Sequence, residues 1–426
     1  MRYNSPMQKK PHLSYPKKFL WGASVSAHQV EGGQKNQWSQ WEDDQAKTLA
    51  AQAPYQWGDI ENWNDIKAQA TQSSNYLSGR AVDHYNQFEL DFDIIKKLNM
   101  NAFRFSIEWS KLEPEEGTWS AEAVAYYKAY IDALRQRGIE PIVTLFHFTL
   151  PIWFAEAGGF TKRKNVEYFV RYAERIVEEL GASVKYIITI NEPEVYANES
   201  YRAGNWPPNR TSKRDFYNIM LNLARAHNKT ADALHEKNRR FKVSIAANIC
   251  HTYAGDDALL SRKTASVMQY EQSDYFLKKV IKKCDFLGVN YYFSNRVYGY
   301  RVHNPEKNVS DLGWDMTPAD IQFVLERTFE KYKLPIIVTE NGLASSDDER
   351  RKWWLSETLL AMQKAMDNGV RLDGYLHWSL LDNFEWDKGY WPQFGLVAVD
   401  RSTMKRRVKP SAIWYSKIIK HLRSTQ

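Results

Sequence analysis

Eight short apolar runs, separated by helical stripes, constrain this chain more than any other feature. The runs cover residues 19–29, 102–109, 141–148, 186–191, 243–249, 286–292, 336–339 and 374–381. Brief, β-branched and bounded by turn residues, they read as buried strands of a parallel sheet. Between them, Phe88, Phe92, Ile95 and Leu98 recur at helical spacing. So do Val124, Tyr127, Ile131 and Leu134, and then Val166, Phe169, Val170, Ala173, Val177 and Leu180. Thr317-Pro318-Ala319-Asp320 predicts a capped start with a first-turn proline ahead of Ile321, Val324 and Leu325. Leu359, Met362 and Met366 predict a helix that Gly369 ends, and Pro410 opens a last one through Ile413, Trp414 and Ile418. No Pro/Gly/Ser-rich linker, low-complexity tract or short repeat interrupts the pattern. Strand and helix alternating eight times predict an α/β chain folded as a single (β/α)8 TIM barrel over residues 1–426, with an open doubly wound sheet as the alternative. Residues 34–81, polar but holding Trp38, Trp41, Trp57 and Trp63, are expected to form an elaborated loop over the barrel mouth.

A barrel brings the C-terminal ends of its strands to one pocket. Those ends read Gln29, Glu108 with Trp109, His147, Asn191 with Glu192, Asn248, Asn290 with Tyr292, Glu340, and Trp378 with Asp382. Amides, an imidazole and indoles hydrogen-bond and stack on hydroxyl-rich rings, and 16 Trp with 25 Tyr supply many such platforms. Two carboxylates stand out. Glu340 tips the run 336–342, which Asn341-Gly342 stops, and Glu192 precedes Pro193. Facing one another across a pocket, they are the paired acids that glycoside hydrolysis requires, one protonated and one ionised.

The remaining features exclude several classes. No apolar run approaches the ~18 residues of a membrane span. Residues 1–18 carry Lys9, Lys10, Lys17 and Lys18 without an apolar core between them, so no secretory signal is read there. Cys250 and Cys284 imply no disulfide framework, and a cytoplasmic location is expected. The net charge of +7 comes from scattered pairs and triplets such as Arg239-Arg240, Lys278-Lys279 and the clusters at 350–352 and 405–407. Interleaved acids make these a solvated surface rather than a nucleic-acid stripe. His147 has no second ligand at metal spacing, and neither metal nor cofactor is expected.

Over essentially its full length the chain resembles glycoside hydrolase family 1, the β-glucosidase family. The resemblance rests on Phe19-Leu20-Trp21-Gly22-Ala23-Ser24, Gln29-Val30-Glu31-Gly32, Asp83-His84-Tyr85, Phe103-Arg104-Phe105-Ser106-Ile107-Glu108-Trp109, Thr189-Ile190-Asn191-Glu192-Pro193, Asn290-Tyr291-Tyr292, Thr339-Glu340-Asn341-Gly342 and the run from Trp378 to Trp386, in that order. It implies Glu192 as general acid/base and Glu340 as nucleophile, flanked by Arg104 and Tyr292, with Asn290 in support. Asn191 would hold the sugar 2-hydroxyl. Gln29, His147, Glu385 and Trp386 would bind the other hydroxyls, Trp378 would stack beneath the ring, and Trp314 would line the leaving-group side. The implied activity is retaining, exo-acting β-glycoside hydrolysis, most simply of β-glucosides, with small β-glycosides or short oligosaccharides as substrates. Rivals are a 6-phospho-β-glycosidase of the same fold, which Glu385 opposes by charge, transglycosylation, and a sugar-binding barrel that has lost catalysis. Phe148-Thr149 after His147, where the family frequently has Trp-Asp, and the segment 204–208 depart from the family pattern and bear on substrate preference.

Overall fold

A computed structural model describes residues 13–304 and 308–424; Lys9 and Lys10 of the basic N-terminal stretch lie outside the described residues. Eight strands form a closed parallel barrel: β1 (Leu20–Ser24), β2 (Ala102–Ser106), β3 (Glu140–Phe146), β4 (Tyr186–Asn191), β5 (Lys242–Asn248), β6 (Leu287–Tyr291), β7 (Ile336–Asn341) and β8 (Leu372–Trp378). Each pairs with the next in sequence, and β8 closes on β1 through pairs such as Leu20 with Gly374.

Alternation turns every second strand residue inward, so the barrel interior can be read in layers. The floor is apolar: Ala102, Ile142, Ile188, Ala246, Phe286, Ile337 and Leu376 pack together, with Leu20 and Tyr186 against them. Two residues further along the strands the inward positions become Arg104, Thr144, Asn248, Thr339 and Trp378. The change from methyl groups to polar and aromatic groups over one repeat is what creates a site on top of a sealed core.

The predicted helices surround this barrel. Val166–Leu180 buries Val166, Phe169, Ala173, Val177 and Leu180, and Ala121–Gln136 buries Tyr127, Ile131 and Leu134. Pro410–Ser424 and Asp348–Asp367 also form, and Gly369 follows the latter with φ +94°. Before Ile321–Tyr332 the chain makes a 3₁₀ turn at Pro318–Asp320, and Thr317 does not cap it. Its hydroxyl instead accepts from the Ser294 amide at 3.1 Å.

Two expectations change. Residues 34–81 are not a loop: Gln37–Trp57 and Trp63–Ala70 are helices. The first begins at a reciprocal cap in which the Ser39 amide donates to Asn36 and the Asn36 amide to Ser39, each at 3.0 Å. It buries Trp38, Trp41, Ala46, Ala50 and Ala53, a stripe in which small residues carry the helical period that tryptophans alone do not display. The first strand also ends at Ser24, so Gln29 lies in a one-turn helix, Ala27–Val30, rather than on a strand tip. Among the described residues no helix is long and apolar enough to cross a membrane.

Candidate active site

Both prominent carboxylates sit where the barrel ladder breaks. On β7, Val338 pairs with Val289 but Glu340 with Asn290, so β7 carries one extra residue. On β4, Ile188 pairs with Ser244 but Asn191 with Ala246, again one extra. Strict alternation would point Asn191 and Glu340 away from the interior where Ile188 and Ile337 point. The inserted residue re-aims them inward, as bulges do. Glu192 then adopts left-handed backbone angles, φ 40° and ψ 60°, before Pro193 opens the helix Pro193–Asn198. A non-glycine residue held there costs about 1–2 kcal/mol, which the surrounding contacts must offset.

Gly342, just past β7, has a different reason to be glycine than the turn it marks in the sequence. A Cβ at that position would lie 1.9 Å from the carbonyl oxygen of Trp378. The β7 and β8 ends approach too closely for any side chain.

Arg104 is the hub of the polar layer. Its Nη1 donates to Glu340 Oε1 at 2.5 Å, its Nη2 to Asn191 Oδ1 at 2.6 Å, and its Nε to Thr144 Oγ1 at 3.0 Å. Tyr292 donates its hydroxyl to Glu340 Oε2 at 2.6 Å, and burial with the nearby carboxylates keeps that phenol protonated. Burial raises the Glu340 carboxyl, while the Arg104 charge and the Tyr292 hydrogen bond oppose the rise. Among the described residues no cation hydrogen-bonds Glu192, which feels the Arg104 charge only at a distance. Its Oε1 accepts from Asn290 Nδ2 at 2.8 Å and Asn248 Nδ2 at 3.0 Å. Burial, reinforced by the charge of Glu340, pushes it up to about 8. Burial raises both carboxyls, but a guanidinium and a phenol oppose the rise at Glu340, whereas neutral amides are the groups hydrogen-bonded to Glu192, so the two environments differ.

Asn191 links the two halves. Its Oδ1 accepts from Arg104 and from Asn290 at 3.2 Å, so its amide nitrogen is the group that faces His147 Nε2 at 3.1 Å. Burial and the Arg104 charge hold His147 well below its ordinary value, hence neutral, and the accepting Nε2 puts its hydrogen on Nδ1.

These groups open onto one cavity of about 550 Å³. Of the residues singled out in the sequence, Glu192, Glu340, Asn191, His147, Tyr292, Trp314, Trp378, Glu385 and Trp386 line it. Trp378 stacks on His147 with ring centroids 5.9 Å apart, and Trp314 lies 5.9 Å from Tyr292. Arg104, Asn290 and Gln29 stand behind the wall. Gln29 is wholly buried, with its Nε2 donating to the Phe384 carbonyl at 2.7 Å and reaching Glu385 Oε2 only at 3.4 Å. Burial together with Asp387 pushes Glu385 up to about 8 against the opposing charge of Lys388.

Several lining residues carried no role in the sequence reading. Asn248 is visible there only as a strand end, yet it donates to Glu192 and its backbone amide to Glu194. Glu194 follows Glu192 by two residues, and burial raises its carboxyl well above the usual range. Trp386, itself at φ 50°, stacks flat on His28 at 5.6 Å and packs 4.8 Å from Trp38. His28 is fixed by Glu42 at 2.6 Å and Asn36 at 3.1 Å, so the helix Gln37–Trp57 supports the cleft from behind. The acidic position beside Trp41 was the available signal.

Comparison with known proteins agrees with this geometry. The family model described as Glycosyl hydrolase family 1 matches residues 12–281 and 252–423. Beta-glucosidase A of Thermotoga maritima is 30% identical over 454 residues, covering 96% of this chain and 98% of its own length. Among solved structures, the β-glycosidase from Pyrococcus horikoshii aligns with a TM-score of 0.85 at 33% identity, covering 96% of this chain and 95% of that one. The β-glucosidase from Thermotoga maritima in complex with glucoimidazole gives a TM-score of 0.84 at 29% identity, over 96% of this chain and 99% of that one. The chain belongs to glycosyl hydrolase family 1 and is a glycosyl hydrolase.

Proposed function

We propose that this glycosyl hydrolase is a retaining, exo-acting β-glucosidase that works through a covalent glycosyl-enzyme. The observation that carries the reading is the asymmetry of the two buried carboxyls: Arg104 and Tyr292 grip Glu340, whereas only neutral amides grip Glu192. Glu340 attacks the anomeric carbon as a carboxylate, and the bond to the glycosidic oxygen breaks. Both amide donors of Glu192 converge on Oε1, so its proton sits on Oε2, from which it passes to the departing oxygen. Glu192, now ionised, takes a proton from water, whose oxygen displaces Glu340 and releases the sugar with its configuration retained. Tyr292 and Arg104 receive Glu340 as it regains its charge.

Asn191 has one amide hydrogen left after His147, which suits the sugar 2-hydroxyl, and Trp378 offers a face for the ring. Relatives named as β-glucosidases, one of them in complex with glucoimidazole, support glucose as the nonreducing sugar. The argument from charge against a 6-phosphorylated sugar weakens here, because Glu385 pushed up to about 8 is largely protonated at neutral pH. The test is a panel of p-nitrophenyl β-glycosides, including the 6-phosphoglucoside, ranked by kcat/KM. The β-glucoside should lead and the first-formed product should be the β-anomer by NMR, with Glu340→Ala inactive. A leading 6-phosphoglucoside, an α-anomer first, or no hydrolysis of any glycoside overturns the proposal.

A further inference from the structure

A second concave site lies outside the cleft. A groove of about 590 Å³ runs along the helix Gln37–Trp57 and meets the segment 204–209. Three side chains on one stripe of that helix, Gln45, Gln52 and Gln56, line it together with Tyr55, Asn205 and Asn209. From Gln45 to Gln56 the stripe is about 16 Å long at 1.5 Å per residue. Tyr55 presents 91% of its surface to solvent, and among the described residues no group hydrogen-bonds the three glutamine amides.

The chemistry of this lining is selective. Charged residues make up 26% of the chain, so a groove of this size would ordinarily carry about three, yet among the described residues that line it Asp387 is the only one. Its Oδ1 accepts from Trp206 Nε1 at 2.8 Å and from Lys388 Nζ at 2.7 Å, the latter a neighbouring cation that offsets its charge. The charges of the same helix, Glu42, Asp43, Asp44 and Lys47, lie off the groove. An ordinary solvated helix face would mix lysine and glutamate along it. What remains is a row of primary amides, each able to donate and accept, beside a solvent-facing aromatic ring.

We propose that this groove is a second carbohydrate site that holds an uncharged glycan chain. Amide pairs match vicinal hydroxyls, the tyrosine ring matches the apolar face of a pyranose, and the lack of a free cation disfavours acidic polymers. The floor residue Asp387 sits between Trp386 and Lys388, both of which line the cleft. A chain held in the groove is therefore kept beside the cleft at a raised effective concentration.

Native affinity electrophoresis through gels containing soluble mixed-linkage β-glucan, hydroxyethylcellulose or xylan tests this, with Glu340→Gln as the background so that the polymer survives. At least one polymer should retard the protein, and Tyr55→Ala with Gln52→Ala should restore most of the lost mobility. Both positions are exposed, and the same pair of changes on the wild-type background should leave aryl β-glucoside hydrolysis within about twofold. Retardation that persists in the double variant would assign the polymer to the cleft and overturn the proposal. So would the absence of retardation in all three gels. Neither result depends on which glycoside the cleft hydrolyses fastest.

Discussion

Among the described residues Arg104 is the one cation in contact with Glu340, and replacing it by methionine removes that charge while keeping much of the side chain's volume. The pair is 2.5 Å apart, and its side chains are 1% and 4% exposed, so solvent cannot substitute for the guanidinium. An opposite charge at this distance lowers a carboxyl by about 1–3 pKa units, and breaking a buried pair costs about 3–5 kcal/mol. Glu340 escapes that cost by taking up a proton, because burial already favours its neutral form. The sign follows directly: the cation favours the ionised form, so its loss raises the pKa, and the nucleophile is available only at higher pH. In a pH profile of kcat/KM for an aryl β-glucoside, the acidic limb should move up by at least one unit, with rates below it falling tenfold per pH unit. The alkaline limb, governed by Glu192 near 8, should move up by less, because Arg104 acts on Glu192 through its charge alone and not through a hydrogen bond. Asn248→Ala is the counterpart, since it removes a donor that favours ionised Glu192 and should move the alkaline limb upward instead. A uniform fall in kcat for Arg104→Met with both limbs unmoved would refute the reasoning and leave Arg104 as a brace for Asn191 and Thr144.

Stability should report the same electrostatics. Glu192 folds with its carboxyl raised from 4.5 to about 8, so between those values the folded protein holds the extra proton and stability falls as pH rises. Glu192→Gln removes that dependence: thermal unfolding should show the variant gaining on wild type from pH 5 to pH 8, and a constant difference across that range would contradict the assignment. Gly342→Ala forces a methyl within 1.9 Å of the Trp378 carbonyl, with backbone on both sides of the clash. It should cost at least about 2 kcal/mol in denaturant unfolding, and an unchanged midpoint would show that the β7 and β8 ends yield more easily than their packing suggests.

The barrel was legible because its period is simple. Runs such as 186–191 and 336–339 need only be apolar and short for strands to follow, and the floor residues Ile142, Ile188 and Ile337 are the ones such a pattern exposes. The strand-end residues were legible for the same reason, since a polar residue closing an apolar run must sit at its tip. Gln29 was not, because the first run contains a strand, a corner and a helical turn, and the small Ser24 and Ser26 at the corner also fit an alternating strand. The helix Gln37–Trp57 hid behind alanines, which signal neither burial nor exposure until their neighbours are known. Asn248 and Glu194 were readable as residues but not as partners, because their meeting depends on the pairing of β4 with β5. The bulges left no trace at all: Ile-Thr-Ile-Asn-Glu reads as one strand whether or not a residue is looped out.

Two chemically identical side chains acquire opposite tendencies here through strands that are not their neighbours. In the barrel order β2 is separated from β7 by β1 and β8, and from β4 by β3. Arg104 on β2 nevertheless contacts Glu340 on β7, Asn191 on β4 and Thr144 on β3 at once. Only a long side chain crossing the barrel interior can do this, and only a planar fork with donors on three nitrogens can serve three acceptors in fixed directions. A lysine would deliver the charge to Glu340 but leave the Asn191 oxygen with only the longer bond from Asn290 to keep it off the substrate. The apolar floor is what lets the fork cross, since Ala102, two residues before Arg104, leaves the space beneath it to neighbouring methyl groups rather than to competing polar atoms. The asymmetry between Glu340 and Glu192 is thus a property of the closed barrel and not of either motif. An open sheet with the same strands in the same sequence would put β1 and β8 at opposite edges and take Arg104 out of reach of Glu340.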